Sequence, residues 1–360
     1  MKTKKLVSFF ATSLAVLGLA ACSRASETKE EAASTPSSAV EEKADRSETL
    51  VIYSNSVSNG RGEWLTAKAK EEGFNIELVE VGGAELADRV IAEKNNGVAD
   101  MVYGINAVDS NKLRDEDILI KFKPEWVDKI DASLADKDGY YNPVFQQPLI
   151  LIGRSDVTSM PTDWTELGGK YSKEYSVYGL QGGTSRMILA SILSRYLDEK
   201  GELGVSEKGW KVVEEYISNA YVLQKGESSI VKMMDDNDPV KYGMIWGSGA
   251  LQGQKEFNTE FKVMTPKVGV PFVTEQTAIL ASSKKQGLAK EFINWFGSAE
   301  VMEAYNQEFG SIPVNADAVK NLSPDAQKLL DTVQPQDIDW ETVGKYLDQW
   351  VEKVELEFVQ

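Results

Sequence analysis

Short apolar runs alternate with amphipathic stretches along the first part of the chain. Residues 49–53 predict a buried strand, residues 61–72 a helix, and residues 74–81 a strand in which apolar and polar positions alternate. A second helix opens at Gly82-Gly83, and residues 100–103 predict a third strand. This βαβαβ order is typical of a parallel sheet covered by helices. Because ligands of such sheets bind beyond the carboxyl ends of the strands, the loops that follow them are candidate binding loops.

The same alternation continues in the second part of the chain. The elements predicted there are strands at 148–153, 176–180 and 240–246 and helices at 186–197 and 209–219. Beyond an extended stretch at 269–280, the chain ends in a predicted helix at 339–357. Apolar side chains form one stripe along this helix, at Trp340, Val343, Leu347, Trp350 and Val354. We therefore expect it to pack on the body of the protein.

The first residues have the character of a secretory signal, with three lysines before a short apolar core. Leu19-Ala20-Ala21-Cys22 resembles a bacterial lipobox, which implies removal of residues 1–21 and attachment of two acyl chains through the Cys22 thiol. Cys22 is the single cysteine, so an internal disulfide is excluded. Residues 22–48 are rich in Ser, Ala, Glu and Lys, and we expect them to form a disordered tether behind the lipidated cysteine.

Composition limits the functions open to the chain. A net charge of −17 at pH 7 argues against binding to nucleic acid or to an anionic lipid surface. The sequence contains no histidine, which excludes a His-dependent catalytic triad and a His-ligated zinc site. Hydrolysis by two carboxylates remains open, since acidic residues are plentiful, but no spacing marks a pair. We expect a binding protein with no cofactor and no resident metal rather than an enzyme.

One stretch, LQGGTSRMILASILSRYL at 180–197, combines the features of an anion site. Gly183 would let a ligand oxygen approach the unpaired N–H groups of the first helical turn. Thr184 and Ser185 add hydroxyl donors, and Arg186 adds a planar guanidinium suited to carboxylate or phosphate. The alternative is an ordinary helix cap followed by a solvated arginine.

Other glycine and polar residues fall at predicted strand ends and helix starts. These further candidates for ligand contact are Ser54, Asn55, Ser56, Gly83, Asn106, Gly247 and Ser248. Glu275, on the extended stretch near 269–280, could meet an ammonium group or a metal ion, or form a hydrogen bond within a hinge. Residues of these types also form turns without binding a ligand, and a turn-forming role is the alternative for each loop position.

Four segments resemble the substrate-binding lipoproteins of ABC importers: the lipobox, GGAELADRVIAEKNNGVADMVYG at 82–104, the GGTSR helix start, and FINWFGSAEV followed by GSIPV. The resemblance covers residues 49–360. Its nearest branch contains proteins for ferric iron, 2-aminoethylphosphonate and hexose phosphates. It implies an α/β, two-lobe periplasmic-binding-protein-like fold with two crossover strands and a ligand cleft between the lobes. The boundaries we expect are 49–147 plus 275–360 for lobe 1 and 148–274 for lobe 2.

The resemblance also implies an ABC permease and its ATPase as partners, and a lipid-anchored position on the outer face of the plasma membrane. We further expect a monomer. Ferric-ion binders of this branch use adjacent tyrosines in the second lobe, where this chain has Trp246-Gly247-Ser248-Gly249. Tyr140 and Tyr141 are adjacent but precede the crossover. We therefore expect a small organic anion of phosphonate or phosphate-ester type, with ferric iron as the alternative ligand.

Overall fold

Residues 44–224 and 226–359 are described by the computed structural model, apart from the side chain of Ala84. The predicted signal at 1–21, the lipidated Cys22 and the tether as far as residue 43 lie outside the described residues. Residues 44–48, which were also assigned to the tether, lie against the folded body. The Arg46 guanidinium forms an ion pair with Glu291 at 2.9 Å and lies 4.3 Å from the centre of the Phe74 ring. The prediction of a disordered tether is therefore wrong for these five residues, because an arginine anchors them.

Strands and helices alternate through the first part of the described chain. The elements are β1 (Thr49–Ser54), α1 (Arg61–Glu71), β2 (Asn75–Glu80), α2 (Gly83–Ala92), β3 (Met101–Ile105), α3 (Ala107–Asp115) and β4 (Asn142–Gly153). Strand β1 runs parallel to both β2 and β3. This confirms the βαβαβ pattern predicted from the apolar positions.

The middle of the chain continues the alternation and ends in a long strand. Its elements are β5 (Tyr175–Tyr178), α4 (Gly183–Leu193), β6 (Leu197–Glu202), α5 (Glu207–Ser218), β7 (Tyr221–Leu223), α6 (Ser229–Met234), β8 (Tyr242–Trp246), α7 (Gly247–Glu256), β9 (Lys262–Val263) and β10 (Phe272–Ile279). Helix α4 begins three residues before the predicted start and gives way to a 3-10 turn at Ser194–Tyr196. The Ser194 hydroxyl donates to the Ser191 carbonyl there, which favours the tighter turn.

The last part of the chain is almost entirely helical. It contains α8 (Gln286–Phe296), α9 (Ala299–Phe309), β11 (Ile312–Pro313), α10 (Ala316–Val319), α11 (Pro324–Thr332) and α12 (Trp340–Glu357). Among the described residues, no helix is both long enough and apolar enough to cross a membrane.

Ten strands form one sheet in which β4 and β10 join two halves. The order is β2-β1-β3-β10-β4-β8-β5-β7, with β9 and β11 also paired to β4. Residues 142–148 of β4 pair with β10, whereas residues 149–153 pair with β8. We call the part from β2 to β10 the first half-sheet and the part from β8 to β7 the second half-sheet. The twelve-residue β4 belongs to both, and β10 brings the chain back to the first.

Helices cover both faces of each half-sheet with separate apolar cores. Helices α1, α8 and α9 pack on one face of the first half-sheet, and α2 and α3 pack on the other. Helices α4, α5 and α12 pack on one face of the second half-sheet, and α6, α7 and α11 pack on the other. The architecture is therefore mixed α/β, as the sequence predicts.

The C-terminal helices correct one predicted boundary. Residues 275–360 were assigned as a whole to lobe 1, but α11 and α12 pack on the second half-sheet. Leu329 lies in the same core as Ile150 of β4, and Trp350 lies in the core that contains Tyr175 of β5. The apolar stripe of α12 predicts that the helix is covered, but it does not say which sheet covers it.

Candidate ligand-binding site

A cavity of about 250 Å³ lies between the two half-sheets, at the ends of the strands. Polar residues and glycines from the first side line it, namely Asn55, Ser56, Ser58, Arg61, Gly83, Gly104 and Asn106. The second side contributes Leu149, Tyr178, Gly182, Gly183, Thr184, Met187 and Trp246, and the linking strands contribute Gln147, Val273 and Glu275. The cavity is thus shared by both halves and by the strands that join them.

Two glycine-led helix starts face each other across this cavity. Helix α2 begins at Gly83 and helix α4 at Gly183, and each follows a glycine that has no side chain to cap the helix. A Cβ atom at Gly83 would lie 3.1 Å from the Gly183 nitrogen and 3.1 Å from Asn55 Nδ2. Since the first-turn N–H groups of a helix lack intrahelical acceptors, both starts present partial positive charge to the cavity.

Arg61 adds a full positive charge beside these helix starts. It is the first residue of α1, and the left-handed residues Asn59 and Gly60 turn the chain into that helix. Its side chain is held by bonds from Nη2 to Ser248 Oγ at 2.8 Å and from Nη1 to the Ser58 carbonyl at 3.2 Å. Only 4% of Arg61 is exposed. The guanidinium is therefore fixed in place with further N–H groups available to a ligand.

Glu275 lines the cavity from the linking strand β10. Its carboxylate accepts hydrogen bonds from the Tyr103 hydroxyl and from Gln147 Nε2, both at 3.2 Å. Burial raises the pKa of Glu275 above its ordinary value of 4.5, although the positive charge of Arg61 acts in the opposite direction. The carboxylate is thus a partly desolvated acceptor at the junction of the two halves.

Gln147 and Ser248 form a hydrogen-bonded link behind the cavity between Arg61 and Glu275. The Ser248 N–H donates to Gln147 Oε1 at 3.2 Å, and Ser248 Oγ accepts from Arg61. Gln147 Nε2 donates to Ser311 Oγ at 3.0 Å as well as to Glu275. Because every amide atom of Gln147 is occupied, the positions of both charged side chains are tied to one network.

The second side of the cavity is mainly apolar. Leu149, Met187 and Val273 contribute aliphatic surface, and the rings of Tyr178 and Trp246 lie 6.3 Å apart at 32°. Burial raises the pKa of Tyr178 to about 12, so its hydroxyl is protonated at neutral pH. This wall suits the carbon skeleton of a small molecule whose charged group lies at Arg61 and the two helix starts.

Residues 63–331 match the family described as bacterial extracellular solute-binding protein. The chain belongs to this family. A curated relative, the probable ABC transporter periplasmic-binding protein y4fP of Sinorhizobium fredii, is 32% identical over 317 residues, which are 87% of each chain. The two-lobe fold predicted from the sequence is confirmed, because solved periplasmic binding proteins share it.

Three solved structures illustrate this likeness in fold. The periplasmic binding protein P5PA has a TM-score of 0.70 at 20% identity, covering 86% of this chain and 99% of its own. AfuA from Actinobacillus pleuropneumoniae, with exogenous fructose-6-phosphate bound, has a TM-score of 0.71 at 18% identity, covering 86% and 98%. Iron-bound HitA from Pseudomonas aeruginosa has a TM-score of 0.71 at 16% identity, covering 85% and 99%.

Seven of the twelve ligand-binding candidates line the cavity of this solute-binding protein: Asn55, Ser56, Gly83, Asn106, Gly183, Thr184 and Glu275. Asn106 also caps α3, because its Oδ1 accepts from the Asp109 N–H at 3.0 Å. Gly104, which the sequence did not single out, has φ of +92°, and a Cβ atom there would clash with Asn55 and Ser56. The structure therefore brings the candidates from the first three strands and from α4 together.

Arg186 corrects the sequence prediction, since it does not line the cavity. It is 7% exposed and forms an ion pair with Asp348 of α12. The residue of α4 that faces the cavity one turn after Gly183 is Met187, so the neighbouring position 186 points sideways towards α12. Arg186 therefore connects α4 to α12 at a place outside the cavity lining.

Four other candidates also lie outside the cavity lining. Ser54 Oγ accepts from the Ser56 N–H at 3.0 Å, and the Ser185 hydroxyl donates to the Tyr178 carbonyl at 2.6 Å, so both shape the loops beside the cavity. Ser248 positions Arg61. Gly247 lies where a Cβ atom would be 2.8 Å from both Leu329 and Pro148, so its role is close packing.

Arg61, Gln147, Tyr178 and Met187 are the main site residues that the sequence did not indicate. Arg61 had a local signal, since the segment SNGR resembles GGTSR in leading from small polar residues and a glycine into a helix. Gln147 had no such local signal, because the sequence of a strand does not show which side chain will form hydrogen bonds to two other loops. Tyr178 and Met187 are indistinguishable in sequence from the aromatic and apolar residues of a protein core.

Tyrosines and carboxylates are scarce in the cavity. Among the described residues that line it, Tyr178 is the one tyrosine and Glu275 the one carboxylate. Tyr140 and Tyr141 do not line it, and the Tyr141 hydroxyl donates to Asn111 instead. In the described part of the chain, no group of three or more Asp, Glu, His or Cys side chains could hold a metal ion.

Proposed function

We propose that this solute-binding protein captures a small organic anion of phosphonate or phosphate-ester type in the cavity between its half-sheets. It delivers that anion to the permease and ATPase of an ABC importer. The relative y4fP carries the name of a probable ABC transporter periplasmic-binding protein, which supports the transport role. The ligand class rests on the cavity itself.

Arg61 is the single observation that carries the ligand class. A buried guanidinium needs a counter-charge, and it matches the oxygens of phosphate or phosphonate through paired N–H donors. The starts of α2 and α4 add partial positive charge on the same cavity. A ligand with several negative oxygens can use all three, whereas a neutral sugar offers no charged acceptor to the guanidinium.

The same features disfavour ferric iron as the ligand. Ferric ion is a hard cation that needs several anionic oxygen ligands. The cavity offers one carboxylate and one tyrosine whose pKa is raised, and Arg61 would repel a cation. The iron bound to HitA belongs to a protein that shares the fold at 16% identity, and it does not decide the ligand of this chain.

We also propose that the protein is held outside the cell by lipid on Cys22 and acts as a monomer. The lipobox at residues 19–22 supports the anchor, and a tether up to residue 43 would leave the cavity free to meet the permease. Binding and delivery need no bond to be broken, so no reaction is proposed.

Calorimetric titration of the purified protein tests the ligand class. The panel contains alkyl phosphonates, sugar phosphates, the corresponding neutral sugars and ferric citrate. We expect at least one phosphonate or phosphate ester to bind with micromolar or better affinity, and no visible tyrosinate-to-iron band to form with ferric citrate. Tight binding of one ferric ion with a red colour, or binding of a neutral sugar alone, would contradict the proposal.

A further inference from the structure

The turn that leads into Arg61 contains an exposed Asn-Gly pair. Asn59 and Gly60 are both exposed, and both have left-handed backbone conformations, with φ of 56° and 81°. In the described part of the chain, neither the Asn59 side-chain amide nor the Gly60 N–H forms a hydrogen bond. Both groups are therefore accessible to water and not held by a partner among these residues.

An asparagine followed by glycine is prone to attack of the next backbone nitrogen on the side-chain amide. Glycine has no Cβ atom, so little shields its nitrogen from the preceding side chain. In this reaction the Gly60 nitrogen loses its proton to water and forms a bond to Asn59 Cγ. The bond from Cγ to Nδ2 breaks, and ammonia leaves. The product is a cyclic imide that contains the linkage between the two residues.

Water opens the imide at either of two carbonyl carbons. Attack at Cγ breaks the bond from Cγ to nitrogen and yields aspartate in an ordinary backbone. Attack at the backbone carbonyl carbon breaks its bond to nitrogen and yields isoaspartate, in which the chain runs through Cβ and Cγ and is one methylene longer. Both products carry a carboxylate that is ionised at neutral pH, and neither step needs an oxidant or a reductant.

We propose that Asn59 is a site of spontaneous deamidation and that its isoaspartate form cannot hold Arg61 in the cavity. The turn is closed by hydrogen bonds from the Gly62 N–H to the Val57 carbonyl at 2.9 Å and from the Arg61 N–H to the Ser58 carbonyl at 3.3 Å. An extra methylene after Asn59 lies inside both closed rings, so it must open them or displace Arg61. The part of this inference that concerns Arg61 rests on the proposed function.

Arg61 has little freedom to absorb such a change. Its side chain is buried and donates to Ser248 across the cavity and to the Ser58 carbonyl, which belongs to the same turn. The contacts of a guanidinium depend on the orientation of its planar fork as well as on its charge. A displaced start of α1 would therefore separate the guanidinium from Ser248 and from an anion in the cavity.

A second Asn-Gly pair provides an internal comparison. Asn96 and Gly97 are exposed in the loop between α2 and β3, and neither lines the cavity. These two pairs are the Asn-Gly pairs of the sequence. Deamidation at Asn96 adds the same charge to the protein and leaves the turn before Arg61 intact. A loss of binding that follows position 59 alone is thus distinct from general ageing of the protein.

Ageing of the purified protein at mildly alkaline pH tests the proposal. Peptide mass spectrometry measures deamidation at each asparagine, and methyl transfer by an isoaspartyl methyltransferase measures isoaspartate. Calorimetric titration with ethylphosphonate, ethyl phosphate and fructose-6-phosphate measures the fraction of molecules that bind. We expect isoaspartate to form at position 59 and the binding-competent fraction to fall in proportion to it.

Three variants separate the two positions and the two products. Asn59→Gly suits the left-handed conformation and cannot form the imide, so its aged sample should keep the binding-competent fraction of its fresh sample. Asn96→Gly should lose binding on ageing as the parent does. Freshly prepared Asn59→Asp carries the added charge in an ordinary backbone, and we expect its affinity to be at most about fivefold below that of the parent.

The outcomes separate this inference from the proposed function. An intact Asn59 in samples in which Asn96 has deamidated overturns the modification site. Isoaspartate at position 59 with an unchanged binding fraction, or an aged parent that melts well below aged Asn59→Gly, overturns the specific effect on Arg61. If the fresh parent binds none of the three anions, the effect on Arg61 fails together with the proposed function, whereas mass spectrometry still decides whether Asn59 deamidates.

Discussion

Gly83 is a residue at which the backbones of the two sides of the cavity approach each other closely. Its Cα faces the start of α4, and an added methyl group would meet the Gly183 nitrogen and Asn55 Nδ2 at 3.1 Å. A glycine there lets both helix starts reach one ligand. This close approach, and not a positive φ, is the reason for glycine at position 83.

Gly83→Ala should weaken ligand binding without weakening the fold. Overpacking typically costs about 1–3 kcal/mol, so we expect the affinity for the bound anion to fall by roughly five- to a hundredfold. Alanine is a better helix former than glycine, so stability without ligand should be unchanged or slightly higher. Gly169→Ala is the matched control, because a Cβ atom there would meet only a carbonyl at 3.7 Å. Equal affinities in both variants would contradict the close approach.

Glu275 should also make stability depend on pH. Burial raises the pKa of its carboxyl, so between 4.5 and that higher value the folded state binds more protons than the unfolded state. The free energy of unfolding therefore falls as pH rises through this window. The groups that face Glu275 are Arg61 of α1, Ser56 after β1, Tyr103 of β3, Gln147 of β4 and Tyr305 of α9. The Arg61 charge and the hydrogen bonds from Gln147, Tyr103 and Ser56 oppose the increase in pKa that burial causes.

Urea unfolding of the ligand-free parent and Glu275→Gln between pH 4 and pH 8 measures this effect. The glutamine carries no titrating proton, so the variant should be the more stable protein at neutral pH, and the difference should shrink towards pH 4. A difference that stays constant with pH would show that ionisation of Glu275 does not destabilise the folded state.

The arginine of α4 connects three helices. Arg186 pairs with Asp348 of α12, and its positive charge also lowers the pKa of the buried Asp109 carboxyl of α3, which burial raises more strongly. Lys112 of α3 lies 3.5 Å from Asp348 as well. These contacts join helices from both sides of the cavity at a place behind it.

Arg186→Ala should therefore lower stability and leave ligand affinity unchanged. Arg186 is buried and Asp348 is exposed, so we expect a loss of about 1–2 kcal/mol in the free energy of unfolding, below the cost of breaking a fully buried pair. Arg154→Ala, which removes an arginine paired with two exposed aspartates, should cost less than about 0.5 kcal/mol. If Arg186→Ala instead loses ligand affinity without losing stability, Arg186 is a ligand contact.

Local sequence predicts these helix starts better than it predicts the side chains around them. The glycines at the starts of α2 and α4 mark backbone geometry, which depends on a few neighbouring residues, and both helix starts line the cavity. The direction in which the Arg186 side chain points depends on the rotation of α4 about its axis. It also depends on contact with Asp348 of α12, which lies more than 150 residues further along the chain. Arg61 was missed for the same reason, since its partner Ser248 lies 187 positions along the chain.

The apolar periodicity of the sequence predicts the α/β alternation of the molecule, and the family resemblance implies the two strands that link its halves. The periodicity does not predict that α11 and α12 return to the second half-sheet, because an apolar stripe of Val343, Leu347 and Trp350 would pack equally well on either half. Two halves joined by β4 and β10 are suited to closing around a ligand held between them.

The proposed lipid anchor determines where the whole molecule is located. Cys22→Ala removes the only thiol, so it should release the protein from the membrane fraction or block its maturation. Fractionation of cells that express the full chain, followed by immunoblotting, measures this. Retention of Cys22→Ala in the membrane fraction equal to that of the parent would contradict lipidation.

Calorimetric titration with the anion that the parent protein binds tests most directly which of the two arginines holds the ligand. Arg61→Ala should lose about ten- to a hundredfold in affinity, because a charge-assisted contact of about 1.5–3 kcal/mol is removed from the cavity. Arg186→Ala should bind like the parent at a temperature where it is folded. Parent-like affinity in Arg61→Ala, or a loss of affinity in Arg186→Ala instead, would contradict anion binding by Arg61.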